Sequence, residues 1–262
     1  MFKHLHINLK KNKSQDADIY LSDPIEVDAR INYEFPSKYI QTANFQQWNG
    51  YVPPCTLDAI DECKYFPVQT ENIKVNDIYD GIERESDAWM IKACEVALNS
   101  VENEGGGPFG ALILQIDKKT NQIIRYWENH NQVTKSNDPT AHAEVMTIRS
   151  ACRSLGVFNL GEIRQKDSLL NQPGEISYCI IYSSAEPCPM CYSAICWANL
   201  QALLFAATRF DAAVQGVNFS DEEIYNELVN PYPKRNLVVF QSTTENSLDA
   251  FNLWKRSKKT NY

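Results

Sequence analysis

From residue 82 onward the apolar positions fall into regular patterns. Ala88, Ile91, Ala93, Cys94, Val96, Ala97, Leu98 and Val101 recur at helical spacing and predict a helix over 83–103, closed by Gly105-Gly106-Gly107-Pro108. The apolar run Phe109 to Ile116 predicts a buried strand. A polar turn over 117–121 and a second strand over 122–127 complete a hairpin. A helix follows over 139–155, then a loop containing Gly161, Pro173 and Gly174. The remaining pattern predicts a strand over 178–183, a helix over 189–199, a strand over 202–207, a short helix over 221–228, a last strand over 237–241 and a terminal helix over 245–258. The apolar face of that last helix is Leu248, Phe251, Leu253 and Trp254. Strands alternating with helices argue an α/β fold with its sheet covered on both faces.

Residues 1–81 read differently. They hold Pro24, Pro36, Pro53, Pro54 and Pro67 and no long periodic pattern. Tyr33, Phe35, Tyr39, Phe45, Trp48, Tyr51, Tyr65 and Phe66 make the stretch too aromatic for a disordered tail. It is expected to be an irregular N-terminal extension packed on the main domain, which spans 82–262.

The 262 residues are 44% hydrophobic, enough for a substantial core, and carry a net charge of −8. Nucleic-acid binding domains are usually basic, and the densest basic run here is the short Lys255-Arg256-Ser257-Lys258-Lys259, so a nucleic-acid partner is disfavoured. No apolar stretch is long enough to span a bilayer, and the N-terminus lacks a signal-like apolar region; a cytoplasmic location is the expectation. The eight cysteines do not form a disulfide framework. Cys94, Cys152, Cys179 and Cys196 stand singly in apolar stretches and read as small buried hydrophobes, while Cys55 and Cys63 lack metal-like spacing.

The chemistry concentrates in Asp138-Pro139-Thr140-Ala141-His142-Ala143-Glu144 and Pro187-Cys188-Pro189-Met190-Cys191. Asp138 reads as an N-cap and Pro139 as the first helical residue, which places His142 and Glu144 in the opening turns of a helix. Cys188 and Cys191, three apart at the start of the next helix, share one face, and the positive helix end favours thiolates. One imidazole and two thiolates are three protein ligands. That leaves a fourth zinc position for water, whose pKa such a site lowers to about 7. Glu144, two residues past His142, is the candidate proton carrier. His-x-Glu followed by Pro-Cys-x-x-Cys is the signature of zinc deaminases.

On these motifs, over residues 84–262, the chain resembles the cytidine and deoxycytidylate deaminase superfamily, and within it the bacterial guanine deaminases. The segments Gly106 to Ala111, Ser136 to Ile148 and Ser184 to Trp197 carry the likeness, and the first ones are shared with tRNA adenosine deaminases. Asp211-Ala212-Ala213, Phe219-Ser220-Asp221 and the tail residues Phe251, Trp254 and Tyr262 point to guanine. The resemblance implies a three-layer α/β/α sandwich around a five-stranded mixed sheet. It implies Zn2+ on His142, Cys188 and Cys191, with Glu144 as proton shuttle. Asn131 would hold the base, Phe109 and Trp197 would wall it, and Asp221 would read the guanine edge and assist proton transfer. In such enzymes the C-terminal segment caps the partner subunit's site, so a homodimer is implied and Tyr262 would enter the neighbour's pocket. Val217-Asn218 are additional to the family pattern, which leaves Asp211 as the alternative acid.

The expected activity is deamination of guanine to xanthine and ammonia. The alternatives are guanosine or another small aminated heterocycle, tRNA adenosine, and a zinc-fold binding or scaffold protein without turnover. A carboxylate accepting from guanine N1 and its 2-amino group would leave adenine unmatched.

Overall fold

A hairpin lies at the centre of the molecule: β4 (Gly110–Asp117) and β5 (Ile123–His130) run antiparallel, with Asn121 at φ 57° in the turn between them. The computed structural model describes residues 21–26, 74–76, 81–83, 86–257 and 259, the backbone alone for 74–76 and 81–83. β7 (Ile176–Ala185) pairs antiparallel with the other side of β4, and β8 (Leu203–Ala207) pairs parallel with β7. Two-residue strands finish the sheet: β1 (Ile25–Glu26) on the edge of β5 and β6 (Ile163–Arg164) on β7. The mixed sheet expected is therefore present, with six strands of which two are short. A separate ribbon pairs β2 (Lys74–Asn76) with β3 (Gly81–Glu83).

Alternation along the strands builds two cores. Leu112, Leu114, Ile116, Tyr178, Ile180 and Tyr182 face α1 (Ala88–Asn99) through Ala93. Ile113, Trp127, Cys179 and Ile181 face the opposite layer, where Ala151 and Leu155 of α3 (Ala143–Leu155) and Ile195 of α4 (Pro189–Trp197) close over them. The three-layer α/β/α sandwich follows from this division. α1 starts at Asp87, whose Oδ1 accepts the N–H groups of Trp89 and Met90 and whose Oδ2 accepts the Tyr182 hydroxyl. Among the described residues of the N-terminal extension, Ser22 donates its N–H to Ser150 Oγ, and Glu26 accepts from the nearly buried Arg125 at 2.7 Å. Those residues do pack on the domain.

Several expectations are corrected. The helix expected over 83–103 is α1 followed by a π-helical turn over Ser100–Glu104, which ends at Gly105 with φ 67°. The helix expected from residue 139 starts at Ala143. Asp138 Oδ1 accepts the N–H and hydroxyl of Thr140, and the Asp138 carbonyl accepts the Ala141 N–H, so Pro139 serves a tight turn and His142 is the N-cap. No strand forms over 237–241; Leu237, Val238 and Phe240 are 73%, 73% and 89% exposed. The segment pairs with none of the described strands. Short helices α2 (Val133–Ser136) and α5 (Arg209–Ala213) add to the expected set, whereas α6 (Glu222–Val229) matches it; α7 is shorter than expected, Asp249–Arg256. Cys179 is buried as expected, but Cys94 and Cys196 are exposed. Among the described residues no helix is long and apolar enough to cross a membrane.

Candidate active site

Two helices begin at the residues that matter. His142 is the N-cap of α3, with φ −68° and ψ 154°, and Cys188 is the N-cap of α4, with φ −61° and ψ 167°. Neither side chain bonds its own helix end, so both are free to face each other. The β7–α4 connection and the end of the Gln132–Ala141 loop bring the two starts together, and α3 packs on α4. His142 Nδ1 lies 3.6 Å from Cys188 Sγ and 3.4 Å from Cys191 Sγ, and the three donor atoms lie within 4.8 Å of one another.

That triangle has the size of a zinc coordination face. Zinc sits about 2.3 Å from thiolate sulfur and about 2.0–2.1 Å from imidazole nitrogen, which in a tetrahedron puts nitrogen and sulfur about 3.5 Å apart. Among the described residues no fourth His, Cys, Asp or Glu joins the group, so the donor set suits an ion with one position open. Glu144 comes nearest: its Oε2 is 3.4 Å from Cys191 Sγ and its Oε1 accepts the Ser183 hydroxyl at 3.3 Å. It is 5% exposed.

The protonation pattern reflects this crowding. The neighbouring Cys191 thiol, helped by His142, holds the Cys188 sulfur as its anion and brings its pKa down to about 4. Cys191 is pushed up, first by sharing its proton with Cys188 and then by burial. The Cys188 anion raises His142, and burial raises Glu144. A divalent cation in this space would keep both sulfurs ionised.

Other candidates surround the site unevenly. Asn131 is 7% exposed, and its Oδ1 accepts the Val133 N–H at 3.1 Å, which leaves its amide N–H groups to donate. The glycine run before β4 is shaped around it: a Cβ on Gly106 would lie 2.3 Å from the Asn131 carbonyl oxygen. Phe109 meets Phe219 edge to face, centroids 5.1 Å apart, and so ties the start of β4 to the loop that carries Asp221. Asp221 is the N-cap residue of α6 but makes no side-chain cap bond. Burial raises its pKa, while Arg209 lowers it and Cys188 and Glu186 add to the rise, which places it in the electrostatic reach of the metal residues. Asp211 instead closes a capping box with Thr208, accepting its N–H at 2.8 Å and its hydroxyl at 2.7 Å. Trp197 stands six residues beyond Cys191, about 9 Å along α4, and is 68% exposed. In one copy it is not brought to the metal residues. Tyr262 lies outside the described residues.

Three residues near the site, Glu186, Arg209 and Tyr225, have no role assigned from the sequence. Glu186 Oε2 accepts the Arg209 N–H at 3.0 Å, and the Arg209 guanidinium lies over the Tyr225 ring at 4.6 Å. Together they fasten the loop before Cys188 to α5 and α6. A tertiary contact of this kind has no signal in local spacing.

Comparison with known proteins agrees with the geometry. The cytidine and deoxycytidylate deaminase zinc-binding region matches residues 83–207. A guanine deaminase of Bacillus subtilis is 40% identical over 169 residues, covering 64% of this chain and 93% of that protein. The crystal structure of guanine deaminase from Bacillus subtilis superposes with a TM-score of 0.56 and 38% identity, covering 68% of this chain and 99% of the other. A tRNA-specific adenosine deaminase of Aquifex aeolicus is 31% identical, covering 48% of this chain and 70% of that protein. The chain belongs to the cytidine and deoxycytidylate deaminase family, close to its guanine deaminases.

Proposed function

We propose that this protein is a cytoplasmic zinc-dependent guanine deaminase, converting guanine and water to xanthine and ammonia. The observation that carries the reading is the His142–Cys188–Cys191 triangle with a buried carboxylate beside it and no fourth protein ligand among the described residues. These three side chains would hold Zn2+ through Nδ1 and two sulfurs. Bound there, zinc supplies the Lewis acidity that makes water a nucleophile at neutral pH.

The chain's own residues do the rest. Glu144 takes one proton from the attacking water and passes it to the ring nitrogen, then takes the second from the hydroxyl so formed and delivers it to the amine as the C–N bond breaks, so that ammonia leaves neutral. Its burial suits this work, because a carboxylate raised toward neutrality both accepts and returns a proton. Asn131 donates its amide N–H groups to the base, and Phe109 packs against its plane. Asp221 accepts from guanine N1 and the 2-amino group and assists proton transfer. Its freedom from helix capping supports that role over Asp211.

We assign the working form as a homodimer in which the C-terminal segment of one copy covers the site of the other, bringing Tyr262 to it and enclosing Trp197. What supports this is exposure: from Asp221 to Lys259 no described residue is buried.

The test is ammonia release from guanine, guanosine, cytosine, adenine and a tRNA anticodon stem, with zinc measured by elemental analysis. Guanine is expected to react fastest, on protein carrying one zinc per chain, and Glu144→Gln should lose about 10²- to 10⁴-fold in kcat. Release from the anticodon stem alone would overturn the substrate assignment, and release from none of them would leave a scaffold.

A further inference from the structure

The buried row of β7 that faces α3 and α4 carries a hydroxyl at each end, Ser177, which donates to Gln172 Oε1, and Ser183. Cys179 and Ile181 point into the apolar core beneath α3 and α4, while Tyr178, Ile180 and Tyr182 point to α1. Ser183 is next on the α3 side, and the ladder sets it between Ala111 of β4 and Phe205 of β8. It is 2% exposed. Alanine would fill that place in an apolar row, and a buried hydroxyl costs free energy unless it is bonded. Its side-chain bond is to Glu144 Oε1, at 3.3 Å. The adjacent Ser184 faces the other way and accepts the Gly110 N–H at 3.0 Å, so the two serines have different tasks.

We infer that Ser183 is a positioning residue for the proton carrier. It donates to Oε1 of Glu144 and so fixes the carboxylate plane, leaving Oε2, the oxygen 3.4 Å from Cys191 Sγ, as the one that moves protons on the metal side. An ionised carboxylate only accepts, so the hydroxyl proton has an obvious destination. Without it the carboxylate can turn about its last torsion, which is broad and low in barrier, and both oxygens then compete for the same position. The inference rests on the role proposed for Glu144.

The discriminating pair is Ser183→Thr against Ser183→Val, which have nearly the same shape and differ in the hydroxyl, so any crowding in the strand is common to both. Zinc content, Tm, kcat and KM for guanine are measured on each, with Ser183→Ala and Glu144→Gln alongside. Thr is expected to keep most of the wild-type kcat. Val and Ala are expected to lose about 10- to 100-fold in kcat with KM, zinc content and, for the Thr/Val pair, Tm unchanged. Equal kcat for Thr and Val on zinc-loaded protein, with Glu144→Gln inactive, overturns the inference and leaves the proton carrier in place. A Glu144→Gln variant with wild-type kcat overturns both.

Discussion

Asp211 and Asp221 sit on one stretch of chain and differ in what their oxygens already touch. Asp211 accepts two bonds from Thr208 on Oδ2, which hold its carboxyl below the ordinary carboxylate range and fix it at the start of α5. Asp221 has no capping bond, and burial makes its charge harder to keep. Replacing Asp221 with Asn sets an amide donor against the guanine donors. We expect kcat/KM for guanine to fall about 10²- to 10⁴-fold, the loss of one or two charge-assisted bonds. Asp211→Ala is expected to lower Tm slightly by weakening the start of α5 and to leave kcat/KM near wild type. Steady-state kinetics and thermal unfolding on the two variants separate the roles, and the opposite ranking would exchange the assignments. At this scale the grouping of His142, Cys188 and Cys191 is legible in the sequence alone, because a shared centre demands particular donors at tight spacing. Ser183, Glu186 and Arg209 are not. A serine in a strand or an arginine beside an aromatic residue looks the same whether it touches the site or not, and only the packed fold tells them apart.

The elements show a similar division. Strands β4 and β7 are readable as apolar runs, since both faces of the sheet are covered, and the helices α1, α3 and α4 as amphipathic or apolar periods. Their ends are less readable. Asp138-Pro139 has the chemistry of a helix start, yet Thr140 offers Asp138 a better local bond, and the turn wins. The stretch 237–241 has the composition of a strand but pairs with none of the described strands. Close approach between elements is a further constraint that local patterns hide. α1 crosses β4 at Gly110, where a Cβ would lie 2.6 Å from the Ala93 carbonyl oxygen and from the Ala97 amide nitrogen. The neighbours are helix backbone and cannot move aside singly. Gly110→Ala should therefore destabilise the fold by about 1–3 kcal/mol through overpacking, which in a domain of this size lowers Tm by several degrees. Thermal unfolding measures it, and an unchanged Tm would mean that α1 shifts freely on the sheet.

The whole molecule poses a question that one copy cannot answer for itself. The body is closed on both faces of its sheet, but no described residue after Asp221 is fully buried. Leu228, Val229, Leu237, Val238, Phe240, Phe251 and Leu253 are each at least 58% exposed, more apolar surface along one arm than a monomer usually leaves in water. Single exposed leucines need no cause, but an arm of them with a strand-like run in its middle does. Seating that arm on a second copy would remove the surface from water, and symmetry would make the exchange reciprocal. Net charge of −8 does not prevent it, because at physiological salt exposed charges more than about 8 Å apart are largely screened. We expect wild-type protein to run as a dimer in light scattering. Phe240→Asp combined with Phe251→Asp should give monomers that keep their zinc and lose most guanine turnover, because Asp221 and the aromatic walls would then stand open to water. A wild-type monomer with full activity would place the arm outside the catalytic unit. A double variant that stays dimeric would move the interface to the body of the domain, where exposed Ile91, Leu98 and Val101 on and just beyond α1 would be the next surface to test.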